Sequence, residues 1–494
     1  MASSTSQPAP PLDYPDHIDA AVLKVAGVVV LGAIMSILDI TVVNVALPTF
    51  QRVFGHHGQP LPYSQVAWAV TGYTLALATV IPLTGWAADR FGTKRLYMTA
   101  IVMFTAGSGL CATAGSINAL IAFRVLQGLG GGMLMPLGMT ILTHAAGPHR
   151  MGRLMAILGV PMLLGPIMGP ILGGWLIEIA SWHWIFLINV PLGVIAVVYA
   201  WIILDRDDPR PSESLDVVGM LLMSPGLALF LYGVSSLPGH GGDIGNAHVW
   251  IPAVIGIVLM ASFVWWSYRP RHPLLDLRLL ANRNLALSLI TMFLFAGAFF
   301  GGLLLVPTYF QQVRGESTLQ AGLLVAPQGI GAMMTMPIAG RLSDRVPIGR
   351  IVPVGLALII AGMFGLTQIT DTTPYPAIIA MLVVMGWGMG GTMMPIMTTA
   401  LRNLRPHEVA RGSTLLNINQ QIASSVGVAT MSVVLTNNLK GSTGLAGAGA
   451  AFAHTYWVAW IVIVVAMIPA LLLPRRRERV PVSDEEDAPP IVIP

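Results

Sequence analysis

Residues 22–48 read VLKVAGVVVLGAIMSILDITVVNVALP, an almost unbroken apolar run with one acidic side chain, Asp39, well inside it. A helix of this length, at about 1.5 Å per residue, exceeds the roughly 30 Å of hydrocarbon in a bilayer. We therefore predict a transmembrane helix with Asp39 near mid-membrane. A charge at that depth costs on the order of 3 kcal/mol by insertion scales, so a membrane protein keeps one mainly where it faces a cavity and has a function. The alternative is that Asp39 serves to lock helix packing.

The composition extends this prediction to the whole chain. Of the 494 residues, 55% are hydrophobic and 10% are charged, and the mean hydropathy is +0.74. Because a water-soluble domain is not expected to show such values, the sequence predicts an all-α polytopic membrane protein. The single cysteine, Cys111, lies in an apolar run and argues against an intramolecular disulfide or a thiolate metal cluster. Residues 1–21 lack the basic segment and cleavage site of a signal peptide, so we expect the first span to be retained.

Fourteen apolar runs lie between Gly, Pro and charged breaks. The predicted spans are 22–47, 66–84, 96–114, 118–142, 153–176, 184–204, 216–236, 249–268, 284–309, 319–340, 350–368, 376–398, 412–435 and 454–473. With both termini in the cytoplasm, 22 of the 26 Lys and Arg residues fall on inner segments, three on outer segments and one within a span. Since Lys and Arg collect on the cytoplasmic side, we predict that both termini are cytoplasmic. The scattered basic residues form no stripe, which argues against nucleic-acid binding.

One loop motif occurs twice in the chain. Residues 85–95 read GWAADRFGTKR, and residues 340–350 read GRLSDRVPIGR, with Gly, Asp, Arg and the final Arg at identical spacing. An internal duplication in a membrane protein predicts two bundles that flank a central pathway. The predicted organisation is a cytoplasmic tail (1–21), a six-helix bundle (22–204), a linker with two additional transmembrane helices (205–283), a second six-helix bundle (284–473) and a second cytoplasmic tail (474–494).

Together these motifs resemble those of the major facilitator superfamily, in particular its fourteen-span drug:proton antiporters. Residues 85–95 are similar to motif A of that family, and residues 340–350 are a weaker copy. The other similar runs are LDITVVNVALP (38–48, a first-helix signature), RVLQGLGGG (124–132, motif B), GVPMLLGPIMGPILGG (159–174, the antiporter motif C) and WHWIFLINVP (182–191). Two positions depart from the family pattern, because family members often carry arginine where this chain has His183 and within the run 417–421. The second departure could alter the substrate charge that is accepted.

Arg124 is the one basic residue well inside a predicted span, as Asp39 is the one acid well inside one. Counted from the outer ends of their spans, their depths differ by about 5 Å. A buried acid and base at similar depth should neutralise one another, directly or through Gln127, one helical turn beyond Arg124. Opening or closing the pair then changes the balance between the protonated and the charged carboxyl. We predict that Asp39 exchanges the proton, and that Arg124, which stays charged, modulates it.

The resemblance further implies a gate in the repeated loops, in which Asp89 caps or pairs with a neighbouring helix end and holds the inner side shut. The alternative for the loop cations is a positive-inside anchor. The predicted gating residues are Gly85, Asp89, Arg90, Gly92, Arg95, Asp344 and Arg345.

Glycines at intervals of four on the fifth span share one helix face, which lets another backbone approach closely. This helix-packing motif comprises Gly165, Pro166, Gly169 and Gly173. Ordinary small-residue packing would account for it as well, and the resemblance to motif C favours an exporter.

Several polar and aromatic side chains within the spans are candidates for a substrate cavity: Thr41, Asn44, Tyr73, Gln127, Gln328, Trp387, Asn417 and Gln421. Each polar one could equally serve a neighbouring helix. With one carboxylate available, a monovalent lipophilic cation or a neutral amphiphile fits better than a dication.

The sequence thus predicts a proton-coupled antiporter that exports lipophilic, monocationic or neutral drug-like compounds across the plasma (bacterial inner) membrane by alternating access. The alternatives are a dedicated exporter of one metabolite, antibiotic or lipid, and a proton-coupled importer. The three lysines lie outside any phosphate-loop context, and Arg411 occupies the place of the second histidine that a His-Glu-x-x-His protease needs. We therefore expect no enzyme activity, no nucleotide and no cofactor. The expected partners are small lipophilic substrates, protons and membrane lipids, with the protein as a monomer.

Overall fold

The computed structural model describes residues 19–55, 59, 61, 63–146, 151–205, 215–237, 243, 245–270, 273–402, 404, 408–440 and 442–475. Within these ranges the regular structure is helical. The helices are α1 (Ala20–Val53), α2 (Tyr63–Val66), α3 (Trp68–Phe91), α4 (Thr93–Ala112), α5 (Ile117–Ala146), α6 (Met151–Ile179), α7 (Trp184–Leu187), α8 (Asn189–Ile203), α9 (Val217–Ser236), α10 (Ala247–Ser267), α11 (Arg283–Gln312), α12 (Thr318–Arg345), α13 (Ile348–Leu366), α14 (Tyr375–Gly390), α15 (Met393–Arg402), α16 (Val409–Lys440) and α17 (Gly444–Leu471).

The predicted fold class is confirmed. In the described part of the chain, thirteen helical segments are long and apolar enough to cross a membrane. The predicted span 153–176 falls within α6, whose 29 residues are also long enough to cross. Two other predicted spans each consist of two consecutive helices, α7 with α8 and α14 with α15. Most of the two predicted tails, residues 1–18 and 476–494, lies outside the described residues.

The observed helices differ from the predicted spans mainly at their ends. α1 continues through Pro48 to Val53, six residues past the predicted end at 47. Proline inside a membrane helix is tolerated because neighbouring helices and local adjustments satisfy the freed backbone groups. α17 begins at Gly444, ten residues before the predicted start, in a Gly/Ala-rich stretch. A Cβ at Gly449 in this stretch would lie 2.8 Å from the Asp371 backbone nitrogen, so close packing there requires glycine.

The helices form two bundles with the same internal packing. In the first bundle, α1 to α8, α1 packs on α6 and α8, while α5 packs on α3 and α4. In the second bundle, α11 to α17, α11 packs on α16 and α17, while α14 packs on α12 and α13. The bundles meet through α6 with α12 and through α3 and α5 with α16. One apolar core joins them at the end where α3 meets α4, combining Val22, Ala26 and Leu142 with residues of the second bundle. We call this the α3–α4 end.

The two additional helices lie across the junction between the bundles. α9 packs on α10 and contacts both α3 and α16. Leu227 and Leu231 of α9 belong to one buried cluster with Ile81 of α3 and Ile418 of α16. Asp216 fixes the entry to this hairpin, because its carboxylate accepts hydrogen bonds from the Gly219 and Leu274 backbone nitrogens and from Trp266 Nε1. The hairpin therefore connects the bundles by packing as well as by sequence.

Candidate functional site

Asp39 lies at the centre of the first bundle, where three helices contribute to one polar cluster. α1 contributes Asp39, α5 contributes Arg124 and Gln127, and α8 contributes Asn189. Asp39 is 1% exposed and Arg124 is 0% exposed, so the two charges are withdrawn from solvent. Burying a charge is costly unless it is paired and hydrogen-bonded, so partners are required on all sides.

The partners of the Asp39 carboxylate are all hydrogen-bond donors. Arg124 Nη1 donates to Asp39 Oδ2 in a buried ion pair. Gln127 Nε2 donates to Oδ1 at 2.8 Å, and Asn189 Nδ2 donates to the same oxygen at 3.2 Å. Because every one of these contacts needs a proton on the partner, the arrangement is built around the ionised carboxylate.

The Arg124 guanidinium is held from several directions. Its Nε donates to the Ala69 carbonyl oxygen at 2.9 Å, and Nη1 also donates to Gln127 Oε1 at 2.9 Å. The guanidinium carbon lies 4.1 Å from the centre of the Tyr73 ring, a cation–π contact. Nη2 has no hydrogen-bond partner among the described residues. The sequence predicted that Arg124 and Asp39 meet directly or through Gln127, and the structure has both contacts.

Asn189 is a member of this cluster that the sequence interpretation did not single out. It lies in the run 182–191, but an amide within an apolar span does not reveal which neighbour it faces. Ser108 on α4 accepts a hydrogen bond from Asn189 Nδ2 at 3.1 Å and donates one to the Phe186 carbonyl oxygen at 2.9 Å. Cys111 Sγ lies 3.6 Å from Gln127 Oε1, so the lone cysteine also borders the cluster.

At the α3–α4 end, the last turn of α3 contacts the second bundle. Asp89, near the end of α3, pairs with Arg411, near the start of α16, at 3.8 Å between Oδ2 and Nη2. A Cβ at Gly85 would lie 3.4 Å from Thr414 Oγ1, which puts that glycine at the same contact. Gly92 has a φ of 91°, a conformation that side chains disfavour, and forms the turn between α3 and α4.

The side chains of the other predicted gating residues lie at the surface or outside the described part of the structure. Arg90, Arg95 and Arg345 are exposed, and the Asp344 side chain lies outside the described residues. Arg411 was not predicted as a site residue, because its proximity to Asp89 depends on how the bundles pack.

A second contact between the bundles lies beside the first. Thr140 of α5 and Ser413 of α16 are buried, and their hydroxyl oxygens are 3.1 Å apart. Asn417, a cavity candidate, lies one turn further along α16, where its Nδ2 donates to the Ser413 carbonyl oxygen at 2.7 Å and lies 3.2 Å from Met139 Sδ. The structure is therefore closed at the α3–α4 end.

The glycines of the motif on α6 face α1 on both sides of Asp39. A Cβ at Gly165 would overlap the Ile37 side chain, and one at Gly169 would overlap that of Thr41. At Gly173 the added atom would lie 3.1 Å from Val42 Cγ1. The three glycines thus bring the α6 backbone against the segment of α1 that carries Asp39. The Pro166 side chain lies outside the described residues.

The remaining cavity candidates fall in different places. Tyr73 and Gln127 belong to the Asp39 cluster, whereas the Thr41 hydroxyl donates to the carbonyl oxygens of its own helix at Ile37 and Leu38. The others are dispersed: Asn44 is exposed in the half of α1 away from the α3–α4 end, Gln421 is half-buried on α16, Gln328 is buried on α12, and Trp387 is partly exposed on α14 beside Gly331. The structure brings together two of the eight candidates at Asp39.

Comparisons with known proteins agree with this architecture. Residues 29–428 match the family model of the Major Facilitator Superfamily. The chain is 46% identical to the multidrug resistance protein B homolog of Mycobacterium tuberculosis, over 94% of this chain and 92% of that protein. It is 31% identical to the multidrug export protein EmrB of Escherichia coli, over 82% and 79% of the two chains. The solved structure of the proton:xylose symporter XylE superposes with a TM-score of 0.62 at 15% identity, over 91% of this chain and 95% of that one. The fold, the repeated loops and these matches together show that the chain belongs to the major facilitator superfamily.

Proposed function

We propose that this transporter is a proton-coupled antiporter that exports lipophilic, monocationic or neutral drug-like compounds from the cytoplasm. It is an integral membrane transporter rather than an enzyme. The observation that carries the proposal is the buried ion pair between Asp39 and Arg124 at the centre of the first bundle. The multidrug proteins among its relatives support drug export as the direction and substrate class.

The ion pair supplies a physical link between proton and substrate. When Asp39 is ionised, the pair has no net charge, and when Asp39 is protonated, the uncompensated Arg124 leaves one positive charge. At an effective dielectric constant of about 20, that charge repels a monovalent cation about 8 Å away by about 2 kcal/mol, roughly a 30-fold change in affinity. Proton uptake therefore expels a cationic substrate, and proton release admits one. A dication would be repelled about twice as strongly.

The contacts between the bundles supply the second requirement, alternating access. With both termini in the cytoplasm, as the distribution of basic residues predicts, the α3–α4 end is the inner end. The pair Asp89–Arg411 and the contact Thr140–Ser413 then hold the inner side closed in this state. Protonation loosens the packing of α1 against α5, because the ionised carboxylate that accepts the hydrogen bonds of Arg124 and Gln127 is lost. The bundles rock about the central site as the inner contacts break.

Transport in vesicles tests the proposal directly. Purified protein is reconstituted in liposomes, a pH gradient is imposed with the acid side at the outer face, and movement of the fluorescent cation ethidium is followed. We expect the parent protein to move ethidium toward the acid side. Asp39→Asn should abolish pH-driven movement and weaken ethidium binding by up to about 30-fold, because Arg124 is then uncompensated at every pH. Ser262→Ala, on the additional helix α10, is the control that should behave like the parent. Accumulation by Asp39→Asn equal to that of the parent would refute proton coupling through Asp39, and movement away from the acid side would support an importer.

A further inference from the structure

Asn189 makes a contact that the ion pair alone does not require. Arg124 already neutralises Asp39, and Gln127 already donates to Asp39 Oδ1. Asn189 adds a second donor to that oxygen from a third helix, α8, and the residue is itself 3% exposed. A hydrogen bond donated to a charged group is stronger than one between neutral groups, so an additional donor favours the ionised form measurably.

The neighbouring serine fixes the orientation of the Asn189 amide. Because the single hydroxyl proton of Ser108 is donated to the Phe186 carbonyl oxygen at 2.9 Å, the Ser108 oxygen can act toward Asn189 as an acceptor. The amide nitrogen of Asn189, 3.1 Å away, is its matching donor. The same nitrogen then also points to Asp39. When Asp39 is ionised, donation therefore runs outward from the Asn189 amide nitrogen, to Asp39 on one side and through Ser108 to the Phe186 carbonyl oxygen on the other.

We propose that Asn189 is a positioning residue that sets the pH at which Asp39 takes up its proton, and that Ser108 holds the Asn189 amide in the donating orientation. The other charged and titratable side chains around Asp39 are Arg124 on α5, Tyr73 on α3 and Cys111 on α4. Asn189 differs from them because it does not titrate and changes the proton equilibrium through hydrogen bonding. Its relevance to transport rests on the proposed antiport function, whereas the hydrogen-bond effect is a property of the protein by itself.

The sign of the effect follows from the direction of donation. Asn189 stabilises the ionised form of Asp39, so its removal favours the protonated form and moves proton uptake to higher pH. One pH unit corresponds to 1.36 kcal/mol, so the loss of one such bond predicts an upward shift of about one to two units.

An infrared titration of the full-length protein in lipid vesicles measures this shift without any substrate. The stretching band of a protonated carboxyl is followed against pH, and the part that disappears in Asp39→Asn is assigned to Asp39. Asn189→Leu, which keeps the branched shape of the side chain but removes the donor, should raise the midpoint by about one to two units. Asn189→Asp should raise it further, because a second carboxylate beside the first disfavours the doubly charged state. Ser108→Ala should give a smaller rise, since it frees the amide to turn.

A neighbouring position separates this role from helix packing. Val190 lies next to Asn189 on α8 and packs near Gly109 of α4. Val190→Ala removes a half-buried apolar contact and should leave the midpoint within about 0.3 unit of the parent. The proposal is overturned if Asn189→Leu and Asn189→Asp titrate like the parent, or if Val190→Ala shifts the midpoint as far as they do. Should Asn189→Leu fail to fold, Asn189→Asp and Ser108→Ala decide.

The vesicle transport assay separates this inference from the proposed function. If Asp39→Asn still accumulates ethidium while the infrared midpoint shifts as expected, the antiport proposal fails and the role of Asn189 stands. If Asp39→Asn abolishes transport but the midpoint does not move in the Asn189 variants, the antiport proposal stands and this inference is wrong.

Discussion

The first bundle places an ion pair between α1 and α5, whereas the second bundle has Val383 and Gly386 at the positions of α14 that correspond to Arg124 and Gln127. This correspondence follows from the runs GGGMLMP (130–136) and MGGTMMP (389–395). In the structure, Val383 and Gly386 pack closely against the backbone of α12, near Gly331 and Gln328. The same helix arrangement thus carries a charged cluster in one bundle and apolar packing in the other. If the transporter is proton-coupled as proposed, this difference predicts that the first half carries the proton chemistry.

The largest effect should come from removing one member of the ion pair. Arg124→Leu leaves the Asp39 carboxylate buried without its countercharge, and breaking a buried pair in this way costs about 3–5 kcal/mol. We expect a marked fall in the thermal stability of the purified protein. The double variant Asp39→Asn/Arg124→Leu should recover most of that stability but no pH-driven transport.

The second bundle provides the matched control for this variant. Val383→Leu adds one methylene to an apolar side chain at the corresponding position and should cost about 1–3 kcal/mol at most, less than Arg124→Leu. If the Arg124→Leu protein had the same thermal stability as the Val383→Leu protein, the buried charge pair would not be what distinguishes the two bundles.

Close helix packing at glycines offers a second test of the comparison. In each bundle, a glycine on another helix lets that helix pack closely against the first helix of the bundle. Gly169 of α6 faces α1, and Gly427 of α16 faces Gly297 and Gly301 of α11. Gly169→Leu and Gly427→Leu should both lower stability by about 1–3 kcal/mol through overpacking. Only the first should also displace Asp39 and alter the pH dependence of transport. Gly174→Ala is the control, because a Cβ there would meet open space.

The pH profile of ethidium transport, measured beside the melting temperature, distinguishes the two glycine variants. Equal changes of pH profile in Gly169→Leu and Gly427→Leu would contradict the assignment of proton chemistry to the first bundle.

The repeated loops make a third comparison. Asp89 pairs with Arg411 across the bundles, and both side chains are partly exposed, so the pair contributes about 1 kcal/mol or less. Asp89→Asn should therefore change the transport rate by up to about fivefold and leave the ethidium affinity within about twofold. We expect Asp344→Asn, in the weaker copy of the loop, to have a smaller effect. If the rate change from Asp89→Asn persisted unchanged in an Arg411→Gln background, the ion pair would not be its cause.

These residues also show which features of the fold and the site could be predicted from the sequence. Length and hydropathy locate the membrane helices, because the thickness of a bilayer imposes a minimum apolar run on each. The pairing of Asp39 with Arg124 could be predicted from their similar depth in the membrane, since an isolated charge in a membrane needs a partner. Asn189 and Arg411 could not be predicted in the same way. An amide does not need a particular partner, and the contact of Arg411 with Asp89 joins residues that are distant in sequence. The position of α9 across both bundles likewise depends on tertiary packing, which no local pattern encodes.

The last comparison concerns the turns within the repeated loops. Gly92 in the first copy has a φ of 91°, whereas Pro347 occupies the corresponding position in the second copy with a φ of −57°. Gly92→Ala forces a side chain into a disfavoured conformation and should cost about 1–2 kcal/mol. Pro347→Ala keeps an accessible conformation and should cost about 0.4–1 kcal/mol, through the greater freedom of the unfolded chain. Melting temperatures of the two variants, compared in one detergent, measure the difference. A larger loss for Pro347→Ala would mean that the second turn, not the first, is the more constrained link between its helices.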